Sequence, residues 1–309
     1  MINEYVSKFI DNLPDEITKS KMPLKIDLVL EGGVFNGSYL VGALYFLKEM
    51  EKKNYIKIER ISGCSIGSVA AFFYYIDSLD SIPEFYDIAI KQFKETYKLS
   101  YIKEIKQFIS NKIPDDICQK VNNKFFITYN DISNGVKIVK SYYKNSDEII
   151  NTIIKSSYLP IFIDGNFMYE EKFIDGINPF IFETEPDKKI LYLELVGYNK
   201  LSTLLNIKNE KTNEHRILTG LLDIHNFFIK QTSTSICSYV NDWSLTDTAL
   251  NYFKILLEKI VVYIIYFIYF ITVFIRNNLT INIEKTPYYN FFYTLINELS
   301  VLIINCYCI

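Results

Sequence analysis

Histidine is scarce in this chain, with only His215 and His225 among 309 residues. A serine triad needs a histidine base. These two lie ten positions apart on a polar-flanked helical stretch and read as ordinary surface or partly buried helix histidines. The five cysteines (Cys64, Cys118, Cys237, Cys306, Cys308) form no metal spacing, and their odd number gives no even disulfide framework. No metal and no organic cofactor are expected. No long basic run interrupts a net charge of −3, so nucleic-acid binding has no electrostatic support. Residues 1–22 are polar and of mixed charge, without the apolar core of a secretory signal. With the odd cysteine count, this leads us to expect a reducing, intracellular setting.

What the chain does have is apolar mass: 49% hydrophobic residues and 16% aromatics, concentrated toward the C-terminus. Its length allows one large α/β domain and an appendage. We expect a lead-in over 1–23, the main domain over 24–245 and an apolar helical segment over 246–309. From residue 24 to 76 the pattern reads strand, helix, strand, helix, which predicts a parallel sheet with crossover helices. Residues 4–13 and 81–123 read as helical, with a break at Pro114. Strands are predicted at 125–129 and 136–143, a helix at 146–157, a short hairpin over 162–169, a strand at 189–198 and a long helix from 214 to about 238.

Two stretches carry chemistry. The apolar run Leu28-Val29-Leu30 leads into Glu31-Gly32-Gly33-Val34-Phe35-Asn36-Gly37 and then a helical pattern, giving strand, Gly-rich turn, helix. Such a turn leaves N–H groups unpaired at a helix N-terminus, where an anion or oxyanion can be held. The second stretch, Gly63-Cys64-Ser65-Ile66-Gly67, is a G-x-S-x-G elbow that exposes a serine hydroxyl between strand and helix. Together they supply a nucleophile and a donor nest, two parts that acyl transfer needs. Cys64, beside the elbow's central residue, reads as packing.

These two motifs, followed by Ser156-Ser157-Tyr158-Leu159-Pro160 and then Asp175-Gly176, resemble the patatin-like phospholipases over roughly residues 24–200. The resemblance implies a three-layer α/β/α fold with a mainly parallel central sheet, to which the C-terminal apolar helical extension is added. It implies a Ser–Asp dyad with Ser65 as nucleophile and Asp175 as the carboxylate that activates it. The oxyanion hole by this analogy comprises Gly32, Gly33, Val34 and Ile66, with Asn36, Gly37, Gly63, Gly67 and Gly176 completing the motif turns. The chain departs from the family pattern at Val34, where a third glycine is usual, and at Asn36, where a basic residue is usual. N–H donors survive any substitution except proline, but a β-branched residue tolerates positive φ poorly. Loss of the cation at Asn36 would weaken attraction for a lipid phosphate. Ile177 also replaces the usual small residue after Asp-Gly.

Residues 260–275 are sixteen positions without a charge. As a helix they span roughly 24 Å, against about 30 Å of hydrocarbon. A buried core helix and a membrane anchor are both open readings. A second apolar patch covers 299–309; Cys306 and Cys308 within it read as inert buried thiols, the sequon at 278–280 would matter only in a secretory lumen, and the aromatic run 288–293 could meet lipid. The expected function is a phospholipase A-type lipid acyl hydrolase acting on phospholipid or another lipid ester, held at the cytoplasmic face of a membrane. The alternatives are a non-catalytic lipid-binding protein on the same fold and a soluble esterase or thioesterase.

Overall fold

The computed structural model describes residues 2–208, 210 and 212–278, together with positions 287, 291, 294, 295, 298, 299, 301, 302 and 306. After α1 (Ile2–Asp11) and the single turn α2 (Asp15–Thr18), the chain alternates β1 (Leu24–Leu30), α3 (Gly37–Lys52), β2 (Ile56–Cys64) and α4 (Ile66–Tyr75). The helical region that follows is α5 (Ile82–Thr96), α6 (Ile105–Ile109) and α7 (Ile117–Val121). Then come β3 (Phe125–Asp131), β4 (Val136–Lys140), α8 (Ser146–Ser156), β5 (Phe173–Asp175) and β6 (Lys189–Leu193). α9 (Glu214–Lys230), β7 (Cys237–Tyr239) and α10 (Leu245–Asn278) complete the order.

One mixed sheet runs β4-β3-β2-β1-β6-β7, with β5 also paired to β3. Its centre, β3-β2-β1-β6, is parallel, and β4, β5 and β7 join antiparallel. β1 is buried continuously from Ile26 to Leu30, as expected of a parallel strand covered on both faces. Leu28 and Leu30 face the main core shared with α1, α3, α4, α5, α8 and α9. Val29, Ile190 and Tyr192 face the other side, where Phe180, Phe182 and Trp243 cover them. On that side α10 packs Val262, Ile265, Tyr266 and Tyr269 against Ile132, Ile174 and Ile177. The fold is a three-layer α/β/α arrangement with a C-terminal helical extension.

Three local expectations are corrected. Residues 162–169 are a compact turn rather than a hairpin, because Asp164 accepts from the Asn166 N–H and the Tyr158 hydroxyl while Gly165 N–H turns back to Ile161. The long helix ends at Lys230, with Gln231 left-handed (φ 53°), so that Cys237–Tyr239 can pair with β6. The strand at 189–198 stops at Leu193, where Leu195 and Val196 turn their N–H groups to the Glu31 carboxylate.

The run 260–275 belongs to α10, where Val262 is buried, Ile265, Tyr266 and Tyr269 are half-buried, and Ile260, Tyr263, Ile264 and Phe267 are exposed. Among the described residues no helix is long and apolar enough to cross a membrane. Cys306 is exposed. Cys308 and most of the terminal patch, the sequon and the run 288–293 lie outside the described residues.

Candidate active site

Strand register brings the two distant motifs together. Cys64, the last residue of β2, pairs with Thr128 of β3, and Asp175, the last of β5, pairs with the next β3 residue, Tyr129. β4 occupies the other edge of β3. β5 therefore prolongs the line of β2, and Asp175 arrives beside the residue that follows Cys64. That residue is Ser65.

Ser65 sits between β2 and α4 with φ 50° and ψ −132°, a backbone state costly for any residue but glycine. Its surroundings hold it there. The Ser65 N–H donates to the Ser156 carbonyl (3.1 Å) and to Ser156 Oγ (2.9 Å), and Ser156 Oγ donates to Thr128 O (2.7 Å). A Cβ on Gly67 would stand 2.4 Å from Leu30 O, and one on Gly32 would stand 2.9 Å from Ser65 Cβ. Close approach between β1, the elbow and α4 thus requires both glycines. Gly67→Ala is expected to cost ~1–3 kcal/mol, the usual range for overpacking, read as a lowered thermal melt. A Gly67→Ala melt equal to wild type would sink the close-packing argument. Gly63, Gly37 and Gly176 occupy similarly tight places, Gly176 against Thr128 O.

Asp175 is buried (4% exposed). Its N–H bonds Tyr158 O, its carbonyl accepts from Asn130 Nδ2 (2.8 Å) and its Oδ1 accepts the Ile177 N–H (2.7 Å). Oδ2 has no partner of ordinary hydrogen-bond geometry. The Ser65 hydroxyl is nonetheless close enough to favour the ionised carboxyl. A loose resting contact of this sort is common before substrate binds. Burial pushes the Asp175 pKa up to about 6, against the opposing influence of Ser65 and the Ile177 N–H. That places it where a carboxylate can act as a base near neutral pH. Cys64 is buried and donates its thiol to Ile177 O (3.4 Å), and burial drives its pKa well up. It stays a packed thiol.

The Gly-rich turn lies next to this pair. Val34 takes φ 45°, the left-handed conformation that the missing glycine made questionable; the turn keeps its shape at the cost of strain. Among the described residues the N–H groups of Gly33, Val34 and Ile66 have no hydrogen-bond acceptor, while the Gly32 N–H is directed to the Cys64 sulfur. Asn36 is fully buried, so its side chain cannot meet a lipid phosphate. It donates to Leu195 O and Lys200 O and accepts from Thr203 Oγ1 and from Arg216 Nη1 (2.6 Å). Arg216 of α9 thereby brings a guanidinium to the turn from 180 residues away, a link with no signal in the sequence. His215 is exposed near Glu210, and His225 stacks on Phe9 at 4.5 Å; both sit on α9 among other partners.

An apolar cavity of about 60 Å³ opens beside Ser65, walled by Val34, Phe85, Tyr86, Leu99, Ile102 and Leu159 among others.

A three-layer fold with a glycine turn and a serine elbow at one end of its parallel strands defines the structural class. Residues 28–180 match the family model described as patatin-like phospholipase, and through this region the chain belongs to that family. Omega-hydroxyceramide transacylase of Mus musculus is similar: 19% identical over 174 residues, covering 53% of this chain and 29% of that protein. The match therefore spans less than a third of that relative's length.

Proposed function

We propose that the protein is a lipid acyl hydrolase of phospholipase A type using Ser65 and Asp175. The observation that supports it most is the buried, pKa-raised Asp175 beside a serine on a strained elbow. In this reading Ser65 Oγ attacks the ester carbonyl and Asp175 takes its proton. The N–H groups of Gly33, Val34 and Ile66 hold the developing oxyanion. Asp175 passes the proton to the departing alcohol, leaving an acyl group on Ser65. Asp175 then takes a proton from water, whose attack frees the fatty acid and restores the serine. The apolar walls near Val34 and Leu159 suit the first methylenes of an acyl chain.

The transacylase relative favours a second outcome at the same acyl-enzyme: an alcohol takes the place of water and an ester is formed. Product analysis separates the two, free fatty acid against new ester.

The substrate surface in this reading is a phospholipid layer, met by the outer face of α10. Phe253, Leu257, Ile260, Ile264 and Phe267 are all exposed and fall on one helical stripe. Tyr252 and Tyr263, also exposed, supply amphipathic rings suited to a lipid interface. The helix would lie in the interface rather than span it. The test is fatty-acid release and co-sedimentation with mixed phospholipid vesicles. Phe253→Asp with Ile260→Asp should cut vesicle binding about tenfold or more, since each buried side chain is worth ~1.5–3 kcal/mol, and leave turnover of a soluble short-chain ester intact. Vesicle binding unchanged by the pair would refute the surface. Vesicle binding with no release by the wild type would favour a lipid-binding protein without catalysis.

A further inference from the structure

α10 turns two charged side chains, Lys254 and Glu258, toward the body of the protein, one helical turn apart. Lys254 Nζ pairs with Glu31 (2.8 Å) and Glu194 (2.7 Å); Glu31 is buried and immediately precedes Gly32. Glu258 is only 4% exposed, and its carboxylate pairs with Lys137 of β4 (2.8 Å) and accepts from Asn178 Nδ2 (2.8 Å). Asn178 Nδ2 also reaches Lys254 O (3.3 Å). One helix therefore grips both halves of the site.

The grip on the Asp175 side is short. The Asn178 N–H bonds Gly176 O (2.6 Å), and between them Ile177 is left-handed (φ 58°), an unfavourable state for a β-branched residue. From that state the Ile177 N–H reaches Asp175 Oδ1. A strained residue stays put only where its surroundings determine it, and here Asn178 is tied to α10. The proposed mechanism makes no use of Glu258, and burying a carboxylate carries a desolvation cost that only good pairing offsets.

We propose that Asn178 and Glu258 are positioning residues for Asp175, and that the Lys137–Glu258 pair sets the charge Asp175 experiences. This rests on the reading of Ser65 and Asp175 as the dyad. The groups facing Asp175 are the Ser65 hydroxyl from the elbow, the Cys64 thiol from β2, Lys137 from β4 and Glu258 from α10. The end of α8 contributes the Ser156 carbonyl and Tyr158 O to the backbone on either side of it. Glu258 raises the Asp175 pKa and Lys137 lowers it.

The signs follow. A base must be ionised, so turnover falls as pH drops through the Asp175 pKa, about 6. Glu258→Gln keeps an acceptor for Asn178 but removes a negative charge, which lowers that pKa and moves the acidic limb to lower pH. Lys137→Met removes a positive charge and moves it to higher pH. Lys137→Arg keeps the charge and the limb.

The experiment is the pH profile of kcat/KM on a soluble short-chain ester, which requires no seating on lipid. Each charge-removing variant should shift the limb ~0.5–1 pH unit in its own direction. Asn178→Ala should lower kcat about tenfold with KM retained, the scale set by misplacing a catalytic group. A loss of structure alone would not move a limb in opposite directions. If Glu258→Gln does not fold, the Lys137→Met and Lys137→Arg pair decides the matter. Limbs of folded Glu258→Gln and Lys137→Met that stay at the wild-type position overturn the inference. A wild type without Ser65-dependent turnover overturns the dyad itself, and this inference with it.

Discussion

Ser65→Ala is expected to bring acyl release down to the rate of buffer alone, and Asp175→Asn to lower kcat by ~10³-fold or more, the scale of losing a base that serves both steps. The same Asp175→Asn should make the protein more stable. The Asp175 pKa is raised from 3.8 to about 6 because burial disfavours the charge. The folded protein thus holds the proton more tightly than the unfolded chain does. This group's contribution to stability is fully present below pH 3.8, falls as pH rises toward about 6, and stays low above that. Moving this pKa from 3.8 to about 6 corresponds to ~3 kcal/mol. Asparagine can keep the Ile177 N–H bond without the charge. The variant should gain that ~3 kcal/mol at pH 8 and almost nothing at pH 4. Thermal melts at the two pH values measure it. A melt at pH 8 no higher than wild type would mean that Asp175 is better solvated than its burial implies. Residual release by Ser65→Ala above background would place the nucleophile elsewhere.

The motifs were legible because each is local. The turn after β1 and the elbow after β2 are both strand-to-helix turns, and the residues that shape them lie within a few positions of each other. Their meeting with Asp175, 110 positions after Ser65, is a matter of register. Thr128 and Tyr129 must be neighbours on β3 for Cys64 and Asp175 to arrive side by side, and periodicity says nothing about which residue pairs with which. The parallel order of β1 and β2 follows from the crossover helix between them and β4 reads as a strand from its own pattern, whereas β5 is only three residues long and β7 continues a helical pattern. Residues 260–275 announced an apolar helix. Its amphipathic placement depends on Lys254 and Glu258 upstream, whose inward direction is set by Glu31, Glu194, Lys137 and Asn178. Asn36 shows the opposite failure. Read from its neighbours it was a lost cation near substrate, but its partners are Leu195, Lys200, Thr203 and Arg216, all more than 150 residues away.

Arg216→Met should be among the most destabilising single substitutions in the protein. Arg216 is 1% exposed and all five of its N–H donors are used. Nε and Nη2 reach Glu210 Oε1 at 3.0 and 2.5 Å, Nη1 reaches Asn36 Oδ1 and Thr203 O, and Nη2 also reaches Asn206 O. Methionine fills the space but removes the guanidinium from Glu210, Thr203 O and Asn206 O and leaves Asn36 Oδ1 with Thr203 Oγ1 alone. Breaking a buried pair from one side costs ~3–5 kcal/mol, or ~5–15 °C of melting temperature in a chain of this size. Arg216→Lys keeps the charge and loses the fork, so it should fall between. The loss reaches the site because Asn36 is the last residue of the 3₁₀ turn that begins at Val34. With Asn36 released from Arg216, the turn that carries Gly33 and Val34 loses one of its buried anchors. Acyl release should therefore drop even at temperatures where Arg216→Met is fully folded. The check is a melt paired with activity at 15 °C. A melting temperature within about 2 °C of wild type, less than ~1 kcal/mol in such a chain, would show that Asn36 and Glu210 find other partners and that the guanidinium is not what holds the turn.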